Sequence, residues 1–227
     1  MKIKYVLVIT LIIVFVSMGI GIYCKSFYMD FNKEKHALDN FAVALISDNF
    51  FESQLQHMEE NLDASNIILA VQCEDTFHYR YSCVTQKVKI VSVFKGENLK
   101  EDDVFEVARA ATLLSLNEDA LFNKMPLINM GYINEMIPGK TYLIFLDRKL
   151  ETYSERDIIY TQSDSFILAP IFCYENITNI PQNPEDEFST YINYKKVKNN
   201  EFFIMSEESN EKIALMKDKL FSKYKLN

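Results

Sequence analysis

Tryptophan is absent from this chain of 227 residues, and glycine is nearly so, with five in all. Two of the five, Gly19 and Gly21, fall in an apolar N-terminal run, which leaves Gly96, Gly131 and Gly139 for everything after it. Loops that cradle phosphate need several glycines so that the backbone can approach the anion. No GxGxxG or GxxxxGK[ST] pattern occurs, which argues against nucleotide binding by those routes. No GxSxG, HExxH, SxxK or CxxC occurs either, so the common hydrolase and metalloprotease signatures are missing. Histidine is limited to His36, His57 and His78, which belong to different segments and form no spaced ligand set. Basic residues are outnumbered as well. With Lys2 and Lys4 of the N-terminal run set aside, 22 basic against 32 acidic residues leave a net charge of −10. A surface of that sign repels nucleic acid.

What the chain does have is a long apolar run at its start. Residues 5–23 read YVLVITLIIVFVSMGIGIY, without charge or proline. Nineteen residues at 1.5 Å each give roughly 28 Å, close to a hydrocarbon core of about 30 Å. Tyr5 and Tyr23 stand at its two ends, where aromatic rings favour the membrane interface. The run is too long for the apolar part of a cleaved signal peptide, and Gly19-x-Gly21, the candidate cleavage site, lies inside it. Lipidation at Cys24 calls for small residues before the cysteine, and Ile22 and Tyr23 are large. An uncleaved anchor therefore fits best. Flanking charge does not orient it: Lys2 and Lys4 precede the run, and Lys25, Lys33 and Lys35 follow. A four-residue basic stub is easily retained, and long C-terminal segments translocate largely regardless of charge, which favours an external domain.

Beyond the anchor, residues 31–62 read as helix, from Phe41, Leu45, Phe51, Leu55, Met58 and Leu62. Asp48-Asn49 would interrupt it, with Asp48 capping a second helix. The period then changes to two. NIILAVQ (66–72) and CVTQKVKIVSVF (83–94) read as strands, the second burying Val84, Val88, Ile90 and Phe94 on one face. Lys95 to Asn98 form a turn, and Val104 to Val107 begin another strand. Residues 113–134 are too apolar for a free loop and fit a short helix or a packed insertion. Pro138-Gly139 suits a type II turn, and TYLIFL (141–146) a strand buried on both faces. Residues 158–161 and 166–172 look like a strand pair turning at 162–165. A polar loop over 179–188 leads to a closing helix at 206–224, capped by Ser206 and carrying Ile213, Met216, Leu220 and Tyr224 as an apolar stripe.

Cys73 and Cys83 flank a short polar stretch. A fold-back near His78 would set them opposite each other as a candidate disulfide; two free thiols are the alternative. Reading Cys73, His78 and Cys83 as metal ligands fails for want of a fourth ligand and of tight spacing. Cys173 reads as a core residue. Asp147-Arg148-Lys149 at a strand end, and the adjacent acids Glu101, Asp102 and Asp103, lack the spacing of an acid/base pair.

The order of elements, with LDASNII (62–68), VFKGENLK (93–100) and IPGKTYLIFL (137–146), resembles a group of uncharacterised bacterial envelope proteins. Their barrel is similar to the netrin-like and tissue-inhibitor-of-metalloproteinase-like variants of the OB fold. The resemblance covers about residues 63–172 and the closing helix, and implies a five- or six-stranded antiparallel OB-like barrel with that helix over 63–227; with the transmembrane helix read at 1–24 and a helical connector at 25–62, the expected class is α+β. That group often has a glycine before the third strand, where this chain has Glu101, Asp102 and Asp103. Protease inhibition does not carry over, because no cysteine begins the barrel. Three functional expectations follow. The first is a membrane-tethered extracytoplasmic binding or interaction module without catalytic activity, cofactor or metal, meeting a protein or envelope partner. The second is an accessory subunit of a membrane complex, docking through the small residues Ser17, Gly19 and Gly21. The third is a hydrolase of unrecognised type.

Overall fold

A computed structural model of the chain describes residues 3–26, 30–80, 83–110, 112–114, 125–152, 156–163, 165–184 and 190–226. The chain divides into two compact units, Met1–Lys35 and His36–Asn227. In the first, α1 (Ile3–Ser26) is continuous, with no acid in its first turn and Lys25 in its last. It is long and apolar enough to cross a membrane. Its large apolar side chains are exposed all round, from Leu7, Ile12 and Phe15 to Ile20 and Ile22, so no one-sided stripe exists that would seat it as an amphipathic core helix.

The second unit is mixed α and β. Its large sheet contains β2 (Ile67–Cys73), β3 (His78–Tyr79), β4 (Cys83–Lys95), β5 (Val104–Ala110), β8 (Thr141–Leu146), β9 (Arg148–Lys149), β10 (Ile159–Thr161) and β11 (Ile171–Cys173). The strands run in the order β11-β8-β2-β4-β5-β10-β9, with β3 added against β4. All these pairs are antiparallel except β5 with β10, which is parallel. This sheet is open, ending at β11 and β9, in place of the closed five- or six-stranded barrel that the resemblance implies. A smaller sheet, ordered β12-β1-β7-β6, joins β1 (Ala42–Ala44), β6 (Thr112–Leu114), β7 (Leu127–Asn129) and β12 (Tyr191–Asn193).

The inner strands follow their side-chain period. On β4, Val84, Val88 and Ile90 are buried, while Lys87 and Val91 face outward. Residues Tyr142 to Leu146 of β8 are buried without alternation, as a strand covered on both faces must be. Gly139 has φ +86 and lets residues 138–139 turn the chain into β8. Asp102, in the turn that often holds glycine among the envelope proteins resembled, has φ +67; a short polar side chain tolerates that region.

Three expectations are corrected. Residues 31–47 are not helix. After turns and a 3-10 segment at Ala37–Asn40, the chain enters β1, and Phe41 to Ile46 are buried without a break. An uninterrupted apolar run fits a strand covered on both faces, and residues 36–62 consequently belong to the same unit as the sheets. Within residues 113–134 only the helix alternative is corrected: the described part forms β6 and β7, and Leu127, Ile128, Met130 and Ile133 are buried, as a packed insertion would be; Leu121 and Phe122 lie outside the described residues. Residues 158–161 and 166–172 do not pair with each other: β10 joins β5 and β9, and β11 joins β8.

Two helices cover the core. Helix α2 (Asp48–Asn61) buries Phe51, Leu55 and Met58, and α3 (Glu207–Lys223) buries Ser209, Ile213 and Met216. Apolar side chains of this size contribute roughly 1.5–3 kcal/mol each when fully buried. Ser206 caps α3, its Oγ accepting from Ser209 N at 3.1 Å. Asp48 does not cap α2 but is its first residue, and its Oδ1 accepts from Ser206 Oγ at 2.6 Å and Ser209 Oγ at 2.7 Å. Lys212 reaches Glu52 at 2.9 Å, Lys219 reaches Glu59 at 2.7 Å, and Lys223 reaches Asp63. Residue numbers rise together along both helices, so α2 and α3 lie parallel, acids on one side of the seam and lysines on the other.

Candidate functional site

The inward phase of the long strands does not stay apolar. On β4, Gln86 follows Val84 on the buried face, 1% exposed. Its Oε1 accepts from Met136 N at 2.8 Å, and its Nε2 donates to Met136 O at 2.9 Å and Asp75 O at 3.0 Å. The amide thus imitates a strand partner for Met136. On β5, Phe105 and Val107 are followed at the same phase by Arg109, 3% exposed and in register with Val84.

Arg109 is poorly compensated for a buried cation. Its Nη1 donates to Asn134 O at 2.9 Å, and its guanidinium lies 4.6 Å from the centre of the Phe77 ring. Its Nη2 is buried and, among the described residues, has no hydrogen-bond partner. Burial lowers its pKa to about 10, against the attraction of Glu135 and smaller contributions from Tyr142, Cys73 and Tyr194. The group therefore remains charged at neutral pH. Glu135 makes no direct ion pair with it. Burial raises the Glu135 carboxyl above its ordinary value, opposed by the Phe77 N–H at 3.4 Å and by Arg109. Asn134, by contrast, is fully engaged: Nδ2 donates to Lys198 O and Asn200 O, and Oδ1 accepts from Tyr194 OH and Glu135 N.

Arg109 also lines a cavity of about 230 Å³, where β10 has ended and β5 continues. Gln162, Ser163, Asn129, Met130, Gly131, Phe166, Ile167 and Ala169 are among the other residues of its lining, Gly131 accepting from Ala169 N at 3.0 Å. Gln162 has a buried Nε2 that likewise lacks a partner among the described residues. The wall beside them is sterically specified. Gly131 has φ +71, and a Cβ there would lie 3.0 Å from Ala169 Cβ and 3.2 Å from Ala169 N. Tyr132 follows with φ +59, an uncommon conformation for a bulky residue. Strain of this kind costs of order 1–3 kcal/mol and gathers at ligand sites.

A second concavity, about 550 Å³, runs along α3 between Tyr174, Thr178, Asn210, Lys217 and Phe221. Behind it Glu201, 3% exposed, accepts from Cys173 N at 2.6 Å through Oε1 and from Lys217 Nζ at 2.5 Å through Oε2. Both carboxylate oxygens are committed, so this pair fastens α3 to β11 and leaves no free base.

The disulfide expectation is overturned by register. Cys73 pairs with Val88 and Cys83 with Ala110. The cysteines therefore sit five positions apart along β4, roughly 17 Å at strand spacing, and both are free thiols. The cause is the insertion of residues 74–77 between β2 and β3, held by Asp75 Oδ1 accepting from Lys87 N at 2.7 Å. Burial pushes the thiols of Cys73 and Cys173 up to about 12, so both stay protonated at neutral pH. Cys173 is fully buried, in the core. His78 is exposed and bound to Asp75 at 2.9 Å; His57 packs on Phe166, ring centres 5.5 Å apart; His36 is exposed. The structure gathers none of them into a site. Asp147 accepts from Asn66 Nδ2 at 2.9 Å, and Asp103 closes its own turn through Lys100 N.

Sequence reasoning misses Arg109, Gln162 and Gln86. A signal exists for two of them: extending the period of two past Val107 lands on Arg109, and Gln86 sits between Val84 and Val88. Nothing local marks Gln162. Compared with known proteins, the chain matches no protein family and no curated relative.

Proposed function

We propose that the chain is a membrane-tethered binding module. Helix α1 is the tether, the domain from His36 onward stands on the outer face, and it binds without catalysis. The observation that carries this reading is a cavity of about 230 Å³ lined, among the described residues, by polar and apolar side chains but by no carboxylate, histidine or cysteine. Such a lining suits holding a ligand and offers no acid, base or thiol to attack one. The thiols of Cys73 and Cys173, which could serve as nucleophiles, are kept protonated by burial, and Glu201 is saturated by hydrogen bonds. A netrin-like or OB-related origin of the large sheet fits this reading as well, because a fold of that kind is a scaffold on which many different sites can be built.

Topology is tested with one surface cysteine. Leu215, on the outer face of α3, is 62% exposed. In cells making full-length Leu215→Cys with Cys24→Ser and Cys83→Ser, a membrane-impermeant maleimide should label intact cells. Labelling confined to lysed cells would place the domain inside and overturn the reading.

A further inference from the structure

We propose that the groove along α3 docks a basic segment of a partner protein, an extended stretch carrying two cationic side chains. The groove is separate from the cavity beside Arg109, so the inference goes beyond the reading above and does not depend on that cavity. Charge on α3 is matched almost everywhere. Lys212, Lys219 and Lys223 meet Glu52, Glu59 and Asp63. Glu208 pairs with Lys212, Glu207 accepts from Asn210 Nδ2, and Lys217 is held by Glu201. Glu211 and Asp218 are the exceptions. Both are exposed, both line the groove, and among the described residues neither has a hydrogen-bond or ion-pair partner. Glu175 lines the groove from the segment 174–179. Burial would raise its carboxyl, but hydrogen bonds from Cys173 Sγ at 3.0 Å and Thr141 N at 3.2 Å help hold it below its ordinary value. Among the described residues Lys217 is the one cation of the lining, and Glu201 already neutralises it, so the groove presents a surplus of negative charge.

Shape and lining select the occupant. The concavity holds about 550 Å³. From Asn210 to Phe221 the helix offers roughly 16 Å of groove, the length of about five residues of extended chain. Tyr174 and Phe221 stack with ring centres 4.5 Å apart, and with Ile177 and Ala214 they give the lining apolar surface. The methylene stems of lysine and arginine cover such surface while their charged heads stay in water. Glu211 and Asp218 stand two turns apart, roughly 10 Å along the axis, which suits cations about three residues apart on an extended segment. Asn176 and Thr178, exposed in the same lining, can hydrogen-bond peptide groups. A polyamine brings cations but no peptide groups for them, and an anionic partner would be repelled.

The test uses the full chain in detergent, which makes it independent of membrane orientation. The probe is a hexapeptide with blocked ends, two lysines three positions apart and a neutral fluorescent label. Its anisotropy should show saturable binding that weakens as salt is raised. The same peptide with glutamates in place of the lysines should not bind. Glu211→Gln combined with Asp218→Asn, two exposed positions that do not threaten folding, should weaken binding about fivefold or more. Glu52→Gln combined with Glu59→Gln removes the same charge outside the groove and should leave binding within about twofold. Absence of saturable binding overturns the proposal, as do equal losses in the two double variants, since net charge alone would then attract the peptide. Spermidine that displaces the peptide and binds more tightly would make the groove a polyamine site. A dimer in sedimentation that dissociates in the Glu211→Gln, Asp218→Asn protein would make the occupant a second copy of this chain. Either result overturns the assignment to a partner protein. Any of these failures alongside an outward domain in the labelling experiment refutes the groove's occupant while leaving the tether standing.

Discussion

The seam between α2 and α3 and the interior around Arg109 are both polar, and they handle charge in opposite ways. Along the seam Glu52, Glu59 and Asp63 each meet a lysine of α3, and the side chains remain largely in water. Around Arg109 the charge is out of water and its partners are few. Exposed pairs are individually weak, typically below about 1 kcal/mol, because solvent screens them and holding two long side chains costs entropy. Buried charges have large stakes of either sign. The seam therefore sets how two helices align at little cost, while the interior charge puts far more stability at stake.

The sharpest way to break this comparison lies on α3 itself, which carries both kinds of pair. Lys217 meets Glu201 with side-chain exposures of 13% and 2%. Lys219, two residues on, meets Glu59 at 69% and 48%. Lys217→Met should cost about 3–5 kcal/mol in urea unfolding, because it strands Glu201 as an uncompensated buried carboxylate. Lys219→Met should cost about 0.5 kcal/mol or less. Equal losses would mean that burial is not what separates the two regions.

A smaller effect, opposite in sign, is expected at the cavity. A buried charge without a direct ion-pair partner is costly, so replacing it, and neutralising a carboxyl within its field, with groups of similar size is often neutral or stabilising. Arg109→Met combined with Glu135→Gln should raise the midpoint of urea unfolding, by about 1–2 kcal/mol in stability. A protein that grows more stable without that charge gives up stability to keep it. A double variant that unfolds more easily than the parent would make Arg109 a structural element after all.

The same division governs what the sequence makes legible. Elements whose side chains face one environment per phase are readable from spacing alone: β4 from Val84, Val88 and Ile90, and α3 from Ile213, Met216 and Tyr224. The run Phe41 to Ile46 is not, because a segment buried on both faces has no period, and the spacing from Phe41 to Leu45 imitates a helix turn. Partner choice is hidden for a related reason. Adjacent segments pair most often, so β10 and β11 look like a hairpin, yet β10 is drawn to the free side of β5 and β11 to β8. The charged stripe of α2 looks like ordinary solvated surface, and its match to the lysines of α3 lies some 160 residues away. The cavity is least visible, because its lining comes from several segments far apart in the sequence.

The smallest effect concerns acid, at the far end of the seam. Asp63 accepts from Lys223 and from Tyr224 OH at 2.6 Å. The hydrogen bonds from Lys223 and then Tyr224 outweigh the desolvation and hold its carboxyl below the ordinary value of 3.8. A depressed carboxyl contributes stability that is present above its unfolded pKa and disappears as pH falls through its folded pKa. The difference in stability between the parent and Asp63→Asn should thus be constant at neutral pH, begin to shrink near pH 4, and vanish in stronger acid. Half-exposed as the pair is, the difference will be modest and should fall further in high salt. Thermal melts of both proteins from pH 7 to pH 3, at low and high salt, measure it. A difference that does not shrink between pH 4 and pH 3 would show Asp63 acting through shape rather than charge, and would set this end of the seam apart from the pairs at Lys212 and Lys219.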